Sequence, residues 1–123
     1  MTGITLYGIR NCDQVRKARR LLDAHGVQYR FHDFRQSGLA AEQLDAWFSH
    51  VPWDALLNKR GTTWRTMSDA ARQAVVDQRS ARDAMLAEPT LIRRPVLTSG
   101  EHVLVGFSEP VYQRTLGLMP GAE

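Results

Sequence analysis

The stretch Ile4-Thr5-Leu6-Tyr7-Gly8-Ile9-Arg10-Asn11-Cys12-Asp13-Gln14-Val15 decides how the chain is read. Ile4 to Tyr7 has the composition of a short strand, and Val15, Ala18, Leu21 and Leu22 follow at helical spacing. Gly8 lets the intervening turn bend tightly. Asn11 is placed to cap the helix, with Gln14 three positions on as a weak capping box. Cys12, the only cysteine of the chain, opens that helix. At a helix N-terminus the unpaired backbone N–H groups and the positive end of the macrodipole favour a thiolate over a thiol. Arg10 and Arg16 add positive charge nearby, and the Asp13 carboxylate opposes ionisation. A free cysteine out of context is most often a small buried hydrophobe. The order strand, glycine turn, cysteine, helix turns the reading toward a nucleophile.

Outward from this stretch, Gly26 ends the first helix and Val27 to His32 alternates apolar and polar residues as a half-buried strand does. Strand, helix and strand at this length make a right-handed βαβ unit. Arg35-Gln36-Ser37-Gly38 breaks the pattern, Ala41 to Phe48 resumes helical spacing, and His50-Val51-Pro52 ends it. Trp53 to Leu57 is a short apolar piece, and Asn58 to Thr63 is polar and contains glycine. Ser68 to Leu86 predicts one or two helices with Ser68 and Ser80 as N-caps. Pro95 to Thr98 and His102 to Val105, joined through Ser99-Gly100, predict a hairpin. A closing helix from Glu109 to Leu118 is capped by Ser108 and carries Pro110 in its first turn. The predicted fold is α/β and thioredoxin-like: a mixed four-stranded sheet, βαβ plus ββα, with a helical insertion between the halves. It forms one domain over 1–118, with the insertion at about 39–90 and a tail at 119–123. Cys12 falls where that architecture holds its reactive cysteine.

At 123 residues the chain has length for one core. No window is apolar enough to cross a membrane, and the start lacks the pattern of a signal peptide, so a cytoplasmic location is expected. One cysteine cannot form an internal disulfide, so disulfide chemistry here needs a second molecule. The net charge is +3, and every cation except Lys17 and Lys59 is an arginine. Guanidinium groups suit capture of oxyanions and carboxylates, which directs attention to an anionic substrate. The same bias also arises from codon composition at exposed positions. The arginines are scattered and no nucleic-acid module is present, which argues against nucleic acid as a partner. The four histidines have no metal-ligand spacing, and no phosphate-loop or dinucleotide-binding glycine pattern occurs. No metal and no bound cofactor are expected.

Three further segments have the composition of site material. Leu57-Asn58-Lys59-Arg60-Gly61-Thr62-Thr63-Trp64-Arg65 gathers three cations, an amide and hydroxyls around a glycine, as an anion-binding loop does and as a solvated turn also does. Leu91-Ile92-Arg93-Arg94-Pro95-Val96 sets two arginines before a proline at the head of a strand. Pro95 restricts Arg94 to extended backbone, so the two arginines point to opposite faces and one at most reaches a given site. In this architecture the proline starting the third strand is commonly cis and beside the cysteine. In Val105-Gly106-Phe107-Ser108, Gly106 allows a close backbone approach or serves a plain strand-to-helix turn.

Tyr7 to Ala18, Leu57 to Arg65, Leu91 to Leu97 and Val105-Gly106-Phe107 together resemble the arsenate reductase ArsC/Spx family over almost the whole chain, most of all its YffB-like branch of glutathione-dependent thiol reductases. The resemblance implies Cys12 as nucleophile, Arg60 and Arg94 as the arginines that hold an oxyanion, and Arg65, Lys59 and Asn11 as helpers, with Gly8 and Pro95 shaping the site. It implies glutathione as co-substrate, and a small anionic or disulfide substrate. Two departures count against arsenate: Gly8 stands where arsenate reductases of the family carry a histidine, and Phe107 where they tend to carry a further arginine. In the Spx branch a Cys-x-x-Cys switch senses oxidation while the protein binds RNA polymerase. Here the second position is Val15, so a self-contained switch is not expected; the alternatives to catalysis are an Spx-like module, under which alone RNA polymerase is a partner, and a family member that keeps the scaffold without turnover.

Overall fold

The computed structural model describes residues 3–119, and the chain forms two compact units. One comprises the residues up to Phe34 together with those from Arg94 onward; the other is Arg35–Arg93. The predicted tail beyond residue 119 lies outside the described residues.

The first unit is the sheet with its helices: β1 (Ile4–Gly8), α1 (Asp13–Ala24), β2 (Arg30–Asp33), β3 (Val96–Ser99), β4 (His102–Val105) and a closing helix, α8 (Glu109–Leu116). Strand order is β2-β1-β3-β4, with β1 parallel to β2 and antiparallel to β3, and β3 antiparallel to β4. This is the mixed thioredoxin-like sheet. Register sets Phe31, Leu6, Leu97 and Leu104 in one row across it. Leu6 and Leu97 join Val15, Ala18, Leu21, Leu22 and Tyr112 in the core, so α1 and α8 cover the same face.

Packing, and not capping, holds α1 in place. Cys12, extended at φ −108 and ψ 127, is the N-cap and makes no side-chain cap bond. A missing cap costs about 1 kcal/mol. Burial of Val15, Leu21 and Leu22 contributes roughly 1.5–3 kcal/mol apiece and outweighs it. The expected cap at Asn11 with Gln14 is therefore not formed, because the helix starts one residue later than the pattern suggests. At the other end Gly26 takes φ 66, Val27 N–H donates to Leu22 O and Gly26 N–H to Asp23 O, which closes the helix in a Schellman turn. That bond removes Val27 from strand pairing, and β2 begins at Arg30, opposite Thr5, later than the alternation predicted. Gly100, at φ 59, turns the hairpin between Ser99 and His102. Ser108 caps α8, and Gly117 ends it at φ 68. The His25 ring nitrogens lie 3.0 and 2.8 Å from the carbonyl oxygens of Leu21 and Met119, tying the chain after α8 to the end of α1.

The second unit is helical. A turn, α2 (Phe34–Ser37), replaces the expected break; its first residue, Phe34, is counted with the sheet. Then come α3 (Ala41–Phe48), α4 (Trp53–Leu56), α5 (Thr62–Thr66), α6 (Asp69–Gln73), α7 (Gln78–Ala87) and a 3-10 turn at Pro89–Leu91. Ser68 caps α6 as predicted. Ser80 does not cap α7: Asp77 does, and Ser80 completes its capping box from the third helical position. Leu44, Trp47, Leu56, Leu57, Ala81, Met85, Leu91 and Ile92 are buried. No helix among the described residues is long and apolar enough to cross a membrane.

Candidate functional site

One end of the sheet gathers most of the residues singled out by sequence. β1 ends at Gly8, whose register partner on β2 is Asp33; Tyr7 pairs with Val96, and Val96 with Val105. The chain leaving β1 toward Cys12, the chain entering β3 through Pro95 and the chain leaving β4 through Gly106 thus run side by side. Gly106 N–H donates to Pro95 O at 2.8 Å, which fixes two of them together. The Arg94–Pro95 peptide bond is cis, as the architecture implied, and Pro95 is buried.

Cys12 is a free thiol, half-buried, packed against the core of α1, β1 and α8. As N-cap it sits where the first helical N–H groups point, and its own carbonyl accepts from Arg16 N–H at 2.9 Å. The charges beside it largely answer each other: the Arg16 guanidinium pairs with the Asp13 carboxylate, both exposed. That ion pair commits both side chains to each other. Asn11 is exposed and takes no part in capping.

Gly8 serves the site differently from what its turn position suggested. A Cβ placed there would lie 2.7 Å from Val15 Cγ2, so the requirement is close approach of β1 to the first turn of α1. Gly106 follows the second of its two readings, the strand-to-helix turn. It holds φ +79 with no atom within 4 Å of a Cβ position, so backbone conformation, and not crowding, asks for glycine there. Of the arginine pair, Arg94 is half-buried and belongs to the sheet unit, whereas Arg93 is exposed and donates its N–H to Leu56 O at 2.8 Å within the helical unit. Asp33, a buried carboxylate at the end of β2, was missed by sequence reasoning. Its signal was the acid closing an alternating strand just ahead of a helix.

Lys59, Arg60 and Arg65 lie in the helical unit on a well-held loop. Asn58 N–H donates to Leu91 O at 2.7 Å, and Asn58 Oδ1 accepts from Arg60 N–H at 3.0 Å. A Cβ at Gly61 would meet Asn58 Nδ2 at 2.8 Å. Thr63 and Thr90 hydroxyls bond at 2.7 Å, and Lys59 Nζ stands 5.4 Å from the Trp64 ring centre. Arg72 closes the end of α5: its Nη1 donates to Trp64 O at 3.3 Å, Arg65 O at 3.1 Å and Met67 O at 2.6 Å, and its Nη2 pairs with Asp69. Arg60 and Arg65 are exposed.

The family model described as the ArsC family matches residues 7–115. A solved structure of an arsenate reductase (ArsC) related protein from Brucella melitensis is 45% identical, covering 94% of this chain and 96% of that one, with a TM-score of 0.72. The structure of the YffB protein is 42% identical, covering 92% and 98%, with a TM-score of 0.87. A Haemophilus influenzae protein without assigned function is 39% identical over 110 residues, 89% of this chain and 96% of its own. At greater distance, the global transcriptional regulator Spx of Lactiplantibacillus plantarum is 26% identical over 120 residues, 92% of this chain and 86% of its own. By the extent of the family match and by these relatives, the chain belongs to the ArsC family.

Proposed function

We propose that the protein is a thiol oxidoreductase with Cys12 as its nucleophile and glutathione as the thiol that resolves the adduct. The observation that carries this reading is the half-exposed Cys12 at the N-cap of α1, unobstructed by a side-chain cap, at the sheet end shared with cis-Pro95. The Cys12 thiolate attacks one sulfur of a substrate disulfide; the S–S bond breaks, a Cys12 mixed disulfide forms, and the other sulfur leaves as a thiolate that takes a proton from water. Glutathione thiolate then attacks the mixed disulfide, freeing Cys12 and carrying the substrate fragment away. A second glutathione releases that fragment as a thiol and leaves glutathione disulfide, completing a two-electron reduction. An external thiol is required because no second cysteine exists, and position 15, where a Cys-x-x-Cys protein keeps its partner, is a fully buried valine. Arg94, in the sheet unit, supplies a guanidinium for a glutathione carboxylate or an oxyanion; Arg60, with Lys59 and Arg65, is a candidate for that role by the family resemblance. Arsenate reduction uses the same attack with arsenic as electrophile.

Incubation with glutathione disulfide followed by intact mass spectrometry is the test. Wild type is expected to gain one glutathionyl group, lost again on adding glutathione, and Cys12→Ser none, with its circular dichroism unchanged. Modification no faster than that of an unrelated exposed cysteine sinks the reading.

The Spx relatives favour one other reading, a regulatory module that binds RNA polymerase. Equal, stoichiometric recovery of polymerase with wild type and Cys12→Ser would establish it in place of catalysis.

A further inference from the structure

Helix α1 carries four cations, Arg16, Lys17, Arg19 and Arg20. Two are committed within the fold. Arg16 pairs with Asp13; Arg19 donates Nε to the Tyr29 hydroxyl at 3.1 Å and lies 4.3 Å over the Phe31 ring. Lys17 and Arg20 are exposed and have no such partner among the described residues. Both line a groove of about 340 Å³ between α1 and the start of α8, together with Leu21, Ala24, Phe107 and Glu109. Glu109 is engaged by its own helix, accepting from the Gln113 amide at 3.2 Å.

We propose that this groove binds an acidic, apolar peptide segment flanking the oxidised cysteine of a protein substrate, an assignment that rests on the thiol-exchange reading above. Its volume falls in the range of ligand sites, at the small end. Its chemistry is two-sided: hydrocarbon from Leu21, Ala24 and Phe107, and the two positive charges of Lys17 and Arg20, which outnumber the single negative charge of Glu109. Glutathione satisfies only half of this, since it has carboxylates and an ammonium but no hydrocarbon side chain to cover the apolar lining. A peptide supplies a carboxylate and an apolar side chain at once. The reach is right as well. Lys17 is five residues and Arg20 eight residues along α1 from Cys12, about 7.5 and 12 Å at 1.5 Å per residue. An extended peptide advancing roughly 3.3 Å per residue covers that axial rise in about two to four positions.

The test uses wild-type protein and a synthetic peptide with leucine and two glutamates beside a serine that replaces the cysteine, with a matched peptide carrying lysines for the glutamates. Having no sulfur, these peptides read the groove independently of Cys12 chemistry; failure of the thiol reading shows separately, in the glutathione disulfide experiment. Titration followed by amide chemical shifts is expected to perturb Leu21, Ala24 and Phe107, with about fivefold tighter binding of the acidic peptide, a preference that shrinks as salt is added. Lys17→Glu with Arg20→Glu is expected to reverse the preference. Equal affinity for the two peptides, shifts confined to other residues, a preference untouched by the double charge reversal, or glutathione saturating the groove with the same shifts would each overturn the proposal.

Discussion

Tyr112 is fully buried, edge-on to Phe107 with ring centres 5.0 Å apart, yet its hydroxyl finds no hydrogen-bond partner among the described residues. Burial pushes the phenol well above its ordinary 10.0. The folded protein thus keeps the neutral form where the unfolded chain releases its proton, so the contribution is whole below pH 10 and is lost as pH rises beyond it. Tyr112→Phe removes an unsatisfied buried group and keeps the ring. The expected result is stability equal to wild type or higher by up to about 1 kcal/mol at neutral pH, and a shallower loss above pH 10, measured by urea unfolding. Tyr112 was invisible as a special residue in the sequence, because a tyrosine in a helical pattern gives no sign of whether its hydroxyl will meet an acceptor. Cys12 was legible for the opposite reason: its chemistry and its place between strand and helix are both local. Arg93 and Arg94 differ in burial, which two adjacent identical residues cannot signal.

Elements with strong periodicity were legible, and those whose limits depend on a cap or a register were displaced by a few residues. α3 came out at its predicted bounds because Leu44 and Trp47 mark one face. α7 was entered at the wrong cap. Both Asp77 and Ser80 are capping residue types, and the extended backbone at Asp77 decides between them. The Ser80 N–H and hydroxyl both bond the Asp77 carboxylate and, with Arg79 nearby, hold it below its ordinary 3.8. A lowered carboxylate stabilises the fold above its unfolded value, and this is lost as pH falls through the folded one. Asp77→Ala should therefore lower the melting temperature at neutral pH, with the gap to wild type closing below pH 3.8. A gap independent of pH would assign the effect to packing of α7 and not to its cap.

At the scale of the molecule, the order of patterns along the chain was enough for the sheet, because a βαβ unit and a hairpin plus helix have few ways to combine. It was not enough for the second unit, whose short helices are set by long-range contacts such as Asn58 with Leu91 and Arg93 with Leu56. The candidate residues divide in the same way: Gly8, Cys12, Arg94 and Pro95 come from the legible sheet unit, and Lys59, Arg60 and Arg65 from a segment whose helical half, α5, was not foreseen. The approach of Gly8 to Val15 bears on how a chain like this one can change. Gly8→Ala alone forces a methyl against a fully buried valine and should cost about 1–3 kcal/mol; Val15→Ala made with it should recover part of that, giving a coupling of about 1 kcal/mol in a double-mutant cycle by chemical denaturation. Any larger side chain at position 8 meets the same valine, so a smaller residue at position 15 lowers the cost of change at position 8, and the two positions are expected to vary as a pair.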